Sequence, residues 1–320
     1  MSTKIGLDMM GGDHAPLEAV KGLKLYLENN LYPDVVACIG KENEVRPLLE
    51  EHGLADNPHV QLVDAPDVIG FNEHPTKALK EKPKSSIGVG FHLLSTGKID
   101  AFASAGSTGA MMVGAMYMLK TIPGILRPTI PTFIPRLDGS TGLILDVGLN
   151  SDCKPEYLNQ FGILGSLYAQ HILNIENPSV GLLNVGEEEG KGNNLAQATY
   201  PLLKANNRVH FVGNVEGRDF FVNKADVIVC DGFTGNVILK MAESIYEIAV
   251  HRKVEKDGFF ASFHYENYGG TPILGIDKPV VIGHGISNDK AFRNIIEQAG
   301  KMVSSQLCEK VEKQFAALAV

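Results

Sequence analysis

Residues 179–205 read Ser-Val-Gly-Leu-Leu-Asn-Val-Gly-Glu-Glu-Glu-Gly-Lys-Gly-Asn-Asn-Leu-Ala-Gln-Ala-Thr-Tyr-Pro-Leu-Leu-Lys-Ala. The run Ser179–Asn184 is apolar without polar alternation, the pattern of a strand covered on both faces. A glycine-punctuated, charged turn comes next, and then a helical pattern from Leu195 to Ala205. The same succession recurs along the chain. Strands are expected at Lys4–Met9, Asp34–Ile39, Val60–Val63, Asp100–Ser104, Gly142–Val147, Ser179–Asn184, Val209–Val212, Asp226–Cys230 and Pro279–Ile282. Helices are expected at Leu17–Glu28, Thr108–Thr121, Glu156–Leu173, Leu195–Ala205, Asn236–Lys253 and Lys290–Phe315. Strand, turn and helix in repetition predict an α/β fold, doubly wound, with a largely parallel sheet and helices on both faces. Residues 1–320 then form a single α/β catalytic unit, or two lobes with the active-site cleft between them. The proline-rich passage Ile122–Pro135 cannot be ordinary helix; it reads as an ordered connection between lobes or as an irregular loop.

Composition narrows the classes of function. With 320 residues, 44% of them hydrophobic, the chain can bury a sizeable core. A formal net charge of −8 leaves no electrostatic footprint for nucleic acid. It also requires that any anionic substrate be gathered by a few placed cations. Cys38, Cys153, Cys230 and Cys308 are widely spaced and form no CxxC pair. That argues against a zinc site or disulfide framework and suits a reducing cytosol. The opening residues reach Asp8 without the apolar core of a signal peptide. The longest uncharged, largely apolar stretch, Ala105–Leu119, is too short to span a bilayer. A cytoplasmic protein is expected.

The chemistry is concentrated in the loops at the strand ends. Glycine and small polar residues recur at 9–14 (MMGGDH), 104–109 (SAGSTG), 146–150 (DVGLN), 184–186 (NVG), 213–217 (GNVEG), 231–236 (DGFTGN) and 283–288 (GHGISN). In open α/β sheets, ligands bind at the carboxyl ends of the strands, where glycine admits close approach and helix N-termini offer N–H groups to anions. Tight turns alone also need glycine. No GxGxxG comes after the first strand, so a dinucleotide fingerprint is absent. Gly186–Gly192 is one residue short of a P-loop and lacks its Ser/Thr. Candidate anion- and substrate-binding residues are Asp8, Gly11 and Gly12; Gly106, Ser107, Thr108 and Gly109; Asp231, Gly232, Thr234 and Gly235; and His284, Gly285, Ser287 and Asn288.

Each candidate carries two readings. Lys191, between two glycines, can set its ammonium beside an anion, or it is a solvated lysine next to Glu187–Glu189. Asn236 is an N-cap, or an amide donor aimed at a substrate oxygen. His284 is a general acid/base, or a residue that fixes its loop. Cys230, at the end of an apolar strand, reads as a small buried hydrophobe rather than a nucleophile.

Taken in order from residue 5 to residue 288, IGLDMMGGDHAP, SAGSTGA, LNVGEEEGKGN, VGNVEGRD, DGFTGNVILK, YGGTPILG and VIGHGISN resemble the acyl-carrier-protein:phosphate acyltransferases of bacterial phospholipid synthesis. The resemblance implies a fold like those of phosphate acetyltransferases and isocitrate/isopropylmalate dehydrogenases. It implies reversible transfer of a fatty acyl group from acyl carrier protein to inorganic phosphate, without cofactor. It also implies a homodimer at the inner membrane face, whose product passes to a membrane glycerol-phosphate acyltransferase. The family's catalytic lysine and asparagine fall on Lys191 and Asn236. Two departures stand out. Ser107 occupies a position where family members usually carry asparagine. The stretch Val254–Glu266 is shorter than usual, in a region the family uses for dimer and membrane contact; Phe259, Phe260 and Phe263 could form an apolar patch there or pack against the protein. Transfer of the acyl group from coenzyme A, a non-catalytic acyl- or anion-binding scaffold, and, more remotely, a metal-dependent dehydrogenase are the competing functions. An acidic carrier protein needs a basic landing patch: Lys77, Lys80, Lys82 and Lys84, or Arg252 with Lys253.

Overall fold

Apolar runs with no polar alternation become the central strands of two sheets. The computed structural model describes residues 3–30, 34–254, 258–263 and 265–317. The chain divides into two compact units, Met1–Thr121 with Tyr265–Glu309, and Ile122–His264 with Lys310–Val320.

The first unit begins with β1 (Lys4–Asp8), α1 (Leu17–Asn29), β2 (Val35–Gly40), α2 (Glu42–Glu51) and β3 (Val60–Asp64). It continues through α3 (Pro75–Glu81), α4 (Ser86–Ser95), β4 (Ala101–Ser104) and α5 (Thr108–Met118). The second unit holds β5 (Pro131–Pro135), β6 (Thr141–Leu145), α6 (Pro155–Ile172), β7 (Ser179–Asn184), α7 (Asn194–Ala205), β8 (His210–Glu216), β9 (Val227–Val229), α8 (Gly232–His251) and α9 (Gly258–Ser262). The chain then returns to the first unit for β10 (Gly270–Pro272), β11 (Val280–Gly283) and α10 (Asp289–Ser304), and α11 (Leu307–Ala316) leads out of it.

The first sheet has the order β10-β11-β4-β1-β2-β3 and is parallel except for β10. Ile5, Leu7, Val36, Ile39, Phe102 and Val281 are fully buried in it. The second sheet has the order β5-β6-β9-β7-β8 and is parallel except for β5. Leu143, Leu145, Val180, Val227 and Val229, with Phe161 and Tyr168 of α6, are fully buried in its core. At the base of this sheet, Arg136 is 4% exposed and binds Asp226 at 3.2 Å and Asn223 at 2.7 Å. The expected doubly wound, largely parallel architecture is present, carried by two sheets.

Several expectations need correction. The proline-rich passage contains β5, whose Pro131 and Pro135 are tolerated because it is an edge strand. The helix expected at Lys290–Phe315 is two helices, broken at Gln306, whose φ is 54°. The helix expected from Asn236 starts one turn earlier, at Gly232. The helices α2, α3 and α4 and the short strand β10 join the expected elements.

Candidate functional site

The loop after β7 is built by its amide side chains. Asn184, the last residue of the strand, donates to the Lys191 carbonyl at 3.1 Å and accepts from the Val185 amide at 2.8 Å. Gln197 donates to the carbonyls of Gly190 and Gly192 at 3.1 and 3.0 Å. Asn214, buried on β8, donates to the Glu188 carbonyl at 2.9 Å. Three successive carbonyls around Lys191 are therefore tied down, while its side chain is exposed. A Cβ at Gly186 would fall 3.0 Å from the Lys191 Cγ, so the lysine stem lies where a side chain at 186 would stand. The flanking acids do not hold the ammonium. Glu187 pairs with Lys224 at 2.7 Å and Glu189 with Lys204 at 2.8 Å. Among the described residues, no carboxylate lies within ion-pair distance of Lys191. Lys191 is thus exposed, with Glu187 and Glu189 engaged by other lysines.

β9 lies beside β7 and runs parallel to it, so the loops after the two strands emerge at the same edge. After β9, Asp231 ends the extended chain and caps α8: its carboxylate accepts from the Thr234 amide and hydroxyl, both at 2.8 Å. Asn236 is not the cap. It sits beyond the first helical turn, half-buried, and donates its amide to the Val147 carbonyl at 3.3 Å. Three of the helix amides near it are engaged. The Gly232 amide donates to the Asn150 carbonyl, that of Thr234 to Asp231, and that of Gly235 to the Asp231 carbonyl. The Asn236 side chain adds an amide donor to this terminus. Cys230 is buried and its thiol contacts the Asp146 carbonyl at 3.5 Å; burial pushes it well above the usual thiol range, as expected of a packing residue.

The turn after β6 adds a residue that sequence reasoning passed over. Asp146 is fully buried and accepts from Thr129, Ile130 and Asn150. Burial raises its carboxyl above the ordinary value, against the pull of these bonds. The sequence signal was a carboxylate directly after an apolar strand and before Gly148.

In the first unit, the loops after β1, β4 and β11 interlock on adjacent strands. Asp8, buried, accepts from the Ser104 hydroxyl at 2.6 Å and from the Met10 amide at 2.9 Å. Burial raises its carboxyl too. The Asp13 amide donates to the Gly285 carbonyl at 2.7 Å, close to Gly12. Gly11 and Gly106 are packed against Asp8. Ser107 caps α5, accepting from the Ala110 amide at 3.4 Å, with Thr108 exposed beside it. The Ile286 amide reaches the His284 ring at 3.4 Å, and Ser287, buried, donates to the His284 carbonyl at 2.5 Å. These contacts give His284 a part in fixing its loop. Asn288 caps α10, accepting from Ala291 at 3.1 Å. Pro75 of α3 lies against Gly109 and Phe71 against Gly285, so the segment between β3 and α4 covers two of the candidate glycines.

A family profile described as fatty acid synthesis protein matches residues 3–257 and 250–310. A phosphate acyltransferase of Dictyoglomus turgidum is 43% identical over 96% of this chain and 96% of its own length. One of Thermoanaerobacterium thermosaccharolyticum is 40% identical, covering 97% of this chain and 96% of the relative. Among solved structures, a phosphotransacetylase from Streptococcus pyogenes aligns with a TM-score of 0.66 at 19% identity, over 95% of this chain and 94% of that one. A 4-hydroxythreonine-4-phosphate dehydrogenase from Klebsiella pneumoniae aligns with a TM-score of 0.58 at 13% identity, over 95% and 98%. These last two share the fold.

Proposed function

This chain belongs to the phosphate acyltransferase family, and we propose that its acyl donor is the thioester of an acyl carrier protein, with Lys191 and Asn236 carrying the chemistry. The enzyme moves a fatty acyl group onto inorganic phosphate for phospholipid synthesis. A thioester is already activated and phosphate is itself the nucleophile, so the enzyme's task is to hold an anion against a carbonyl in attack geometry. A phosphate oxygen adds to the carbonyl carbon, forming the C–O bond. The tetrahedral oxyanion then collapses, the C–S bond breaks, and the thiolate leaves to take up a proton. Lys191 neutralises and positions the phosphate. The Asn236 amide donates to the carbonyl oxygen as it gains charge.

The observation that carries this reading is the presence of a carboxylate-free ammonium and a half-buried amide donor in the segments that leave two adjacent parallel strands, β7 and β9. The loops at 8–12, 106–109 and 283–288 of the first unit are assigned to substrate binding, with Thr108 as an exposed polar side chain. The test is appearance of acyl phosphate when purified protein meets acyl carrier protein thioester and phosphate, run beside acyl-coenzyme A as donor. Efficient turnover with coenzyme A and none with the carrier protein would reassign the donor.

We further assign the protein to the cytoplasm as a homodimer that supplies a membrane glycerol-phosphate acyltransferase. Among the described residues, no helix is long and apolar enough to cross a membrane. Support for self-association comes from α8, where Phe233, Val237, Met241, Ile245 and Ile248 leave an apolar stripe exposed at helical spacing. Phe259 and Phe263 are folded onto Phe221, at ring separations of 5.9 and 5.4 Å, rather than forming a patch of their own.

A further inference from the structure

The Asn236 amide can stabilise an oxyanion only if it points in one direction, and that direction is set from β6. Its Nδ2 donates to the Val147 carbonyl at 3.3 Å. A primary amide has two N–H bonds in one plane, so engaging one fixes the aim of the other. The same group rests on Gly148. A Cβ at Gly148 would fall 3.2 Å from the Asn236 Nδ2, and the φ of +125° there disfavours any side chain.

The carbonyl and the glycine are held in turn by Asp146. One carboxylate oxygen accepts from the Thr129 hydroxyl at 3.1 Å and the Ile130 amide at 3.0 Å. The other accepts from the amide and side chain of Asn150 at 2.5 and 3.1 Å. These four neutral donors fill the acceptor sites of a carboxylate. The helix carrying Asn236 rests on the same residue. A Cβ at Gly232 would come 2.6 Å from the Asp146 Oδ2, and one at Gly235 would collide with the Asp146 carbonyl. The Gly232 amide also donates to the Asn150 carbonyl at 2.8 Å. Both partners of the Asn236–Val147 contact, the turn and the helix, are therefore referenced to one buried carboxylate.

We propose that Asp146 and Gly148 are positioning residues of the transfer reaction: the 146–150 turn is a platform that aims the Asn236 amide at the thioester oxygen. The proposal rests on reading Asn236 as the oxyanion donor. It assigns the turn no contact with phosphate, so its loss should appear in kcat while KM for phosphate stays put. Displacing a reacting group by about an ångström costs up to ~10²-fold.

The experiment is a double-mutant cycle on acyl-phosphate formation with Gly148→Ala, Asn236→Ala and the pair. Gly148→Ala is expected to lower kcat by ~10- to 10²-fold and to cost nothing further in the Asn236→Ala background. Should Gly148→Ala fail to fold, Thr129→Val removes one donor from Asp146 at constant shape. It should lower kcat in the same Asn236-dependent way, with Thr129→Ser restoring it. An equal loss from Gly148→Ala or Thr129→Val in both backgrounds, or no loss in either, overturns the platform. Full activity in Asn236→Ala overturns the role of Asn236 and the platform with it, so the two failures are distinguishable.

Discussion

The Lys191 stem occupies the space that Gly186 leaves open, with its Cγ 3.0 Å from where a Cβ at 186 would be. The lysine is steered by a missing side chain and by carbonyls held from Asn184 and Gln197, rather than by an ion pair. Because Lys191 is exposed, Lys191→Ala should fold normally, raise KM for phosphate and lower turnover. Lys191→Arg should recover part of the KM effect, since charge is kept while the point-like ammonium is lost. Initial rates across a phosphate series decide this; unchanged kinetics in a folded Lys191→Ala protein would remove the lysine from the mechanism.

Asp231 and Asn236 separate stability from chemistry on one helix. Asp231→Ala removes the cap of α8 and should cost about 1 kcal/mol of stability. Asn236→Ala leaves the cap in place and should lower kcat by ~10²–10³-fold, the scale of one lost oxyanion donor. Melting curves and kcat, measured on both variants, should show opposite patterns. A large drop in melting temperature with normal kcat for Asn236→Ala would return that residue to a structural role.

The basic cluster at 77–84 is half spent on internal pairs. Lys82 pairs with Glu73 at 2.7 Å and Lys77 approaches Glu81 at 3.8 Å. Lys80 and Lys84 are exposed, with no carboxylate partner among the described residues. Reversing these two to glutamate should slow association with an acidic carrier protein at low salt, and the difference should fade as salt screens it. Association rates at two ionic strengths test it; equal rates at low salt would exclude this face.

Asp226 should make the second unit acid-sensitive. Burial raises its carboxyl, but Ser179 and the Arg136 guanidinium outweigh that and hold it below the ordinary value. Its folded value lies below its unfolded one, so the stabilisation is complete above the unfolded value and is lost as pH falls through the folded value. Melting temperature should fall with acidification in that window, and Asp226→Asn should flatten this part of the profile. A profile parallel to wild type would show that the pair contributes nothing there.

Most of the strands and helices were legible because buried parallel strands leave an unbroken apolar run, and helices a different period. β5 was not, since proline signals a breaker and only an edge position, unknowable from the run itself, tolerates it. Asn236 invited a capping role because asparagine and aspartate cap equally well. Only the structure shows that the extended chain already ends at Asp231. Asp146 was hidden for a deeper reason. Two of its donors, Thr129 and Ile130, lie 17 and 16 positions away on another segment. A carboxylate becomes a hub through its neighbours in space, and the sequence around it shows only a turn.

The pairing of β4 with β11 has a consequence for how the chain is made. Val281 is in register with Ala103, and every strand of the second sheet is encoded between them. During synthesis, β4 must wait with its hydrogen-bonding edge bare while the whole of the second sheet emerges. The second unit waits as well: Arg208 is bound by the Ala317 carbonyl at 2.7 Å, reached only after β11 has emerged. A ribosome that stalls after residue 264 would therefore release a product with an open strand edge, the feature that templates aggregation and invites chaperones.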